Sequence, residues 1–119
     1  MQIKYGNKSV LVFSLTNKDT GLPVSDLASA IAIKFQMKDT QTGVAIISKY
    51  LTSGVERNVP ITGDITVTIL PADFTAAVTV GKKYAAIQIE YSAIDIREID
   101  LRYSDITFDQ IEIVQDIIQ

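Results

Sequence analysis

The sequence predicts an all-β domain, an immunoglobulin-like antiparallel β-sandwich of about seven or eight strands with one short helical turn near residues 71–77. Three observations predict it. Apolar and polar residues alternate along most of the chain, the period of a strand with one buried face. Turn-forming residues recur roughly every 8–12 positions, the spacing of a sandwich or barrel. The i, i+3, i+4 apolar spacing of an amphipathic helix is absent from these same segments.

Strands are expected over 8–15, 30–38, 44–51, 55–59, 64–70, 83–91, 96–103 and 107–115. Asn17 to Pro23 is a loop punctuated by Gly21 and Pro23, and Val24 to Ala28 reads as a short crossing. In the next segment Ile31, Ile33, Phe35 and Met37 share the face expected to be buried, while Lys34, Gln36 and Lys38 share the other. Asp39-Thr40-Gln41-Thr42-Gly43 suits a hairpin closed by a glycine. Thr62-Gly63-Asp64 introduces the strand in which Ile65, Val67 and Ile69 alternate with threonines. Pro71-Ala72-Asp73-Phe74 has proline at a first helical position and an acid in the first turn. That turn is expected to cross between sheets, with Phe74 or Val78 closing the end of the core. Ala85, Ile87, Ile89 and Tyr91 then alternate with Gln88 and Glu90, and Ser92 to Asp95 turns the chain into Ile99, Leu101 and Tyr103. In the last strand Phe108 and Ile111 cannot share a face, so a bulge is expected.

Length and composition bound the function. A chain of 119 residues with 47% hydrophobic residues fits one domain with its own core, residues 1–119. Without cysteine there is no disulfide and no thiol chemistry, and without histidine the commonest general base and metal ligand are missing. A net charge of −3 argues against a nucleic-acid partner. The N-terminus lacks the apolar core of a signal peptide, and no apolar run is long enough to span a bilayer. The expected location is therefore the cytoplasm at synthesis, with no membrane partner.

Motifs for catalysis are lacking, so an enzyme is not expected and no cofactor is implied. Asp95, Glu98 and Asp100 are not in an EF-hand register, and Arg97 sits among them; a solvated strand face with ion pairs accounts for them. Glutamates at 56, 90, 98 and 112 carry no sign of a facing pair, and no Ser-x-x-Lys or Gly-x-Ser-x-Gly occurs. The glycines are scattered rather than gathered in a phosphate loop.

Binding is the better expectation. From Asp95 onward the chain carries Asp95, Glu98, Asp100, Asp105, Asp109, Glu112 and Asp116 against only Arg97 and Arg102. It then ends Ile117-Ile118-Gln119, with apolar residues where polar ones are usual; these either meet a partner or fold back over an open end of the core. A partner interface is expected at Asp109, Glu112, Val114, Ile117 and Ile118, formed with other structural proteins or with copies of the same chain. The alternative is weak carbohydrate binding on an aromatic platform, with Tyr5, Tyr50, Tyr84, Tyr91 and Tyr103 as candidates.

The order of segments also resembles a known pattern. Lys8 to Phe13 followed by Thr20-Gly21-Leu22-Pro23-Val24-Ser25-Asp26-Leu27 resembles the opening of N-terminal domains in bacteriophage upper baseplate proteins. Gly63 to Thr75 and Val80 to Ile89 are similar to that domain's strand, short helical turn and Gly-Lys-Tyr strand, and Ile106 to Ile113 to its closing strand. The resemblance implies a virion structural domain that docks onto the tail and brings no catalytic residues. The functional expectation is thus a structural or docking component of a tail or baseplate-type assembly, with a carbohydrate-binding, host-surface module as the alternative.

Overall fold

The computed structural model describes residues 2–15, 22–24, 26–40, 42–59, 63–100 and 111–115, with only the backbone described for 98–100. Among these, nine strands form: β1 (Gln2–Lys4), β2 (Ser9–Ser14), β3 (Ala32–Lys38), β4 (Ala45–Leu51), β5 (Gly54–Arg57), β6 (Asp64–Ile69), β7 (Gly81–Ser92), β8 (Asp95–Asp100) and β9 (Ile111–Val114). Two 3-10 turns, Leu27–Ser29 and Pro71–Asp73, are the helical elements among the described residues.

The strands join in one mixed sheet, nearly barrel-like, in the order β1-β9-β7-β3-β4-β5-β6-β2, with β8 also paired to β7. The expected antiparallel pattern is corrected at two places, since β1 pairs with β9 and β4 with β5 in parallel. The second pairing follows from a sharp corner. Ser53 and Tyr50 exchange backbone hydrogen bonds at 2.7 and 3.1 Å, Thr52 takes φ 68° and Gly54 takes φ 100°. The chain leaves this corner still running in its former direction, so β5 lies parallel to β4. A Cβ on Gly54 would meet Lys49 Cδ at 2.5 Å, so glycine is required both by its backbone and by its neighbour.

Alternation positions the core. In β7 the residues Lys83, Ala85, Ile87 and Ile89 point inward, and in β3 Ile33, Phe35 and Met37 do so. Leu11 and Phe13 of β2, Val55 of β5, and Ile65, Val67 and Ile69 of β6 join them in one core cluster. Phe13 stacks on Phe35 with centroids 6.0 Å apart. Ile31 was expected on this face but is 64% exposed, because the strand begins one residue later and the chain bends there. The turn expected over 71–77 contracts to Pro71–Asp73, with the Leu70 N–H bonded to Asp73 Oδ2 at 2.7 Å. Val78 is buried, and Phe74 packs half-buried against Tyr5, with ring centroids 5.0 Å apart.

Two lysines enter the core face. Lys49 Nζ reaches Asp73 Oδ2 at 2.6 Å, and Lys83 Nζ binds Asp39 and the Thr79 hydroxyl. Each lays its alkyl stem along the apolar wall and meets a carboxylate at the rim. Arg57 Nη1 donates to the Leu27 and Ala30 carbonyls at 3.0 and 3.1 Å, tying the crossing turn to β5.

β8 and β9 lie along the same edge of β7. The Glu90 carbonyl accepts from Ile31 N–H, so even positions of β7 face β3 and odd positions face away. Tyr5 N–H donates to the Val114 carbonyl, so Ile111 and Ile113 turn their backbone toward Lys83 and Gly81. Residues 101–110, including Leu101, Tyr103, Phe108 and the expected bulge, lie outside the described residues.

Candidate functional site

Cross-strand register assembles an outer face on β8, β7, β3 and β4. Ile96 stands opposite Glu90 and Glu90 opposite Ala32; Gln88 stands opposite Lys34 and Lys34 opposite Tyr50. Directly paired residues share a face of the sheet, and their inward neighbours Ile33, Ile87 and Ile89 lie in the core. The face is thus held by packing beneath it.

A shallow depression of about 390 Å³ opens here, lined by Ile31, Lys34, Tyr50, Thr52, Gln88 and Glu90 among others. Ile31 is 64% exposed and Tyr50 51%, while Ile96 beyond the rim is 50% exposed. Lys34, Gln88 and Glu90 make no side-chain hydrogen bond or ion pair among the described residues. The arrangement is an apolar and aromatic border around a cation, an amide and a carboxylate, all facing solvent. Chemically it can bind by contact and hydrogen bonding over a broad area.

At the β7–β8 hairpin a second cluster locks the fold. The Tyr91 hydroxyl donates to Asp26 Oδ1 at 2.7 Å, and Arg97 Nη1 donates to Asp26 Oδ2 at 3.1 Å. Arg97 also meets Asp95 at 3.3 Å and lies 4.3 Å over the centre of the Tyr91 ring. Burial, then the bond to Asp26, pushes the Tyr91 hydroxyl up to about 12. The bond from Tyr91, aided by the Arg97 charge, holds the Asp26 carboxyl below its ordinary value despite some desolvation. Hydrogen bonding to Asp95 strengthens the hold of Arg97 on its proton.

The interface expected at the C-terminal end is described only in part. Glu112 and Val114 lie half-buried on β9, which is paired on both sides, by β1 and by β7. Glu112 accepts from Gln2 Nε2 at 2.9 Å, and Val114 stands opposite Lys4. Asp109, Ile117 and Ile118 lie outside the described residues. The candidate tyrosines are dispersed: Tyr5 packs on Phe74, Tyr91 bonds Asp26, and Tyr103 lies outside the described residues. Tyr50 and Tyr84 face Lys34 and Lys38 on the two sides of β3, roughly 13 Å apart along it at ~3.3 Å per residue.

Sequence reasoning missed the depression because its residues come from three strands and a bend. The signal available was the polar face of the Ile31–Lys38 alternation, where Lys34 belongs to a strand buried on its other side. Among the described residues no helix is long and apolar enough to cross a membrane. No protein-family model matches the chain, and no curated protein matches it as a relative.

Proposed function

We propose that this chain is an immunoglobulin-like sandwich acting as a structural docking component, by protein–protein contact and without catalysis, in an assembly of the bacteriophage tail or baseplate type. The sandwich reading draws on the corner at Thr52 and Gly54. On this reading the corner sets β1-β9-β7-β3-β4 in one wall and β5-β6-β2 in the other. The tail-type assignment draws on the resemblance of Lys8–Phe13, Thr20–Leu27, Gly63–Thr75, Val80–Ile89 and Ile106–Ile113 to baseplate domains.

The observation carrying the docking role is the outer face of β8, β7, β3 and β4. Ile31, Tyr50 and Ile96 are each at least half exposed there, beside Lys34 and Glu90, which form no ion pair among the described residues. Apolar anchors bordered by polar groups are the usual anatomy of an association surface. The test mixes the purified chain with candidate tail or baseplate proteins and measures mass by size-exclusion chromatography with light scattering. Co-migration that is lost on Tyr50→Asp or Ile31→Asp supports the reading. A chain that joins none of them overturns it.

A second reading is favoured by Tyr50 itself. An exposed ring beside Lys34, Gln88 and Glu90 offers a stacking surface with donors and acceptors, the requirements of a sugar ring. Glycan-array binding abolished by Tyr50→Ala supports that reading, and silence across the array removes it.

A further inference from the structure

β2 stands at one end of the sheet order, and among the described residues it pairs with β6 alone. Leu15 N–H donates to the Gly63 carbonyl in the same register, so the odd residues of β2 turn their backbone toward β6. The N–H and C=O groups of Val10 and Val12 therefore point to the free edge, where they have no backbone partner among the described residues. Their side chains are 57% and 53% exposed on the outer face.

The edges differ in how they are guarded. β1, at the other end of the sheet, has three residues and carries Lys4. β8 carries Asp95, Arg97, Glu98 and Asp100. β2 runs six residues, Ser-Val-Leu-Val-Phe-Ser, with no charge and no proline. Charges, prolines and short length are the usual defences of an edge against pairing, and β2 has none of them.

We infer that β2 pairs antiparallel with β2 of a second copy about a two-fold axis, continuing the sheet from one protomer into the other. The occupant follows from self-complementarity. Backbone direction requires an even residue to face an even one, and the register centred on Leu11 sets Val10 against Val12 of the partner and Lys8 against Ser14. Four valines then gather on one outer face, and no like charges meet. Pairing β2 with the β1 edge would instead set a lysine-bearing strand against the valines and propagate without closing; the β2–β2 contact is isologous and closes at two copies. This inference concerns a different wall from the docking face and stands apart from that reading.

Sedimentation equilibrium on the full chain across a concentration series tests it. The weight-average mass is expected to rise from 13.1 kDa toward twice that value. Val12→Lys and, separately, Val10→Lys should hold the mass at the monomer with an unchanged β-type circular dichroism spectrum, while Tyr50→Asp should leave the equilibrium as in wild type. A wild-type chain that stays monomeric up to millimolar concentration overturns the inference, as does a Val12→Lys chain that dimerises as wild type does. A monomeric wild-type chain whose docking to a neighbouring tail protein is lost on Val12→Lys would assign the edge to that protein and overturn the second-copy assignment. Loss of docking on Tyr50→Asp with dimerisation intact separates the two surfaces.

Discussion

Tyr91 and Asp26, 65 residues apart, are joined by a 2.7 Å hydrogen bond that ties the end of β7 to the turn leading into β3. Arg97 completes the contact from β8, bonding the carboxylate and covering the ring. The cluster seals the end of the core over which Leu27 is buried.

Alkaline titration reads this contact directly. The Tyr91 hydroxyl stays protonated to about 12 in the fold, against 10.0 for a free tyrosine. Between those values the unfolded chain has lost a proton that the folded chain retains, so stability declines as pH rises through this window. Absorbance at tyrosinate wavelengths should show one late component that is missing in Tyr91→Phe and shifts to lower pH in Asp26→Asn. For Asp26 the sign is opposite: its lowered value adds stability above 3.8 that is lost as pH falls through the folded value.

Phe35 is fully buried and stacked on Phe13. Phe35→Ala should lower unfolding free energy by about 3–5 kcal/mol, the loss of transfer energy plus a cavity that strands on both sides prevent from collapsing. Val44 is 85% exposed, and Val44→Ala should change stability by less than about 0.5 kcal/mol. Urea titrations of both variants check the contrast.

The Lys49–Asp73 pair predicts an asymmetry. Its side chains are 11% and 23% exposed, so removing one charge leaves the other in a poorly hydrated site. Asp73→Asn should cost toward the low end of roughly 3–5 kcal/mol, whereas Lys49→Met, which strands a carboxylate that is more exposed and still accepts from the Leu70 N–H, should cost less. Equilibrium unfolding of the two variants measures the difference. Equal losses would show that the charge is not what matters.

Gly54→Ala should destabilise by about 1–2 kcal/mol, because an L side chain is strained in this backbone region. Displacement of the Lys49 stem adds to that cost. In a Lys49→Ala background the added part should shrink to the contact with the remaining Cβ, 3.2 Å away, and the backbone part remain. A double-mutant cycle by urea denaturation separates them.

Much of the placement of strands along the chain was legible in the sequence, because each long strand buries one face. The Ile65–Ile69 and Ala85–Ile89 alternations lie in β6 and β7, and Pro71 marks the start of its turn. β1 was not legible, since three residues are too few to show a period. Lys49 and Lys83 carry charge, yet their positions two residues from Ile47 and Ala85 put them in phase with the core. The depression was half legible: the polar face of β3 was expected, but its neighbours Tyr50 and Glu90 are set by register.

By itself the sequence determined the inward residues Ile33, Phe35 and Met37 of β3, Ile65, Val67 and Ile69 of β6, and Ala85, Ile87 and Ile89 of β7, since the backbone alternates side chains whatever the strand's neighbours. It also determined the chemistry excluded by the lack of cysteine and histidine. Only the tertiary structure decided that β4 turns a corner into a parallel β5, that β9 lies between β1 and β7, and that β2 is left at an uncharged edge. Those outcomes depend on hydrogen-bond partners distant in the chain, and a local pattern carries no record of which strand will lie alongside.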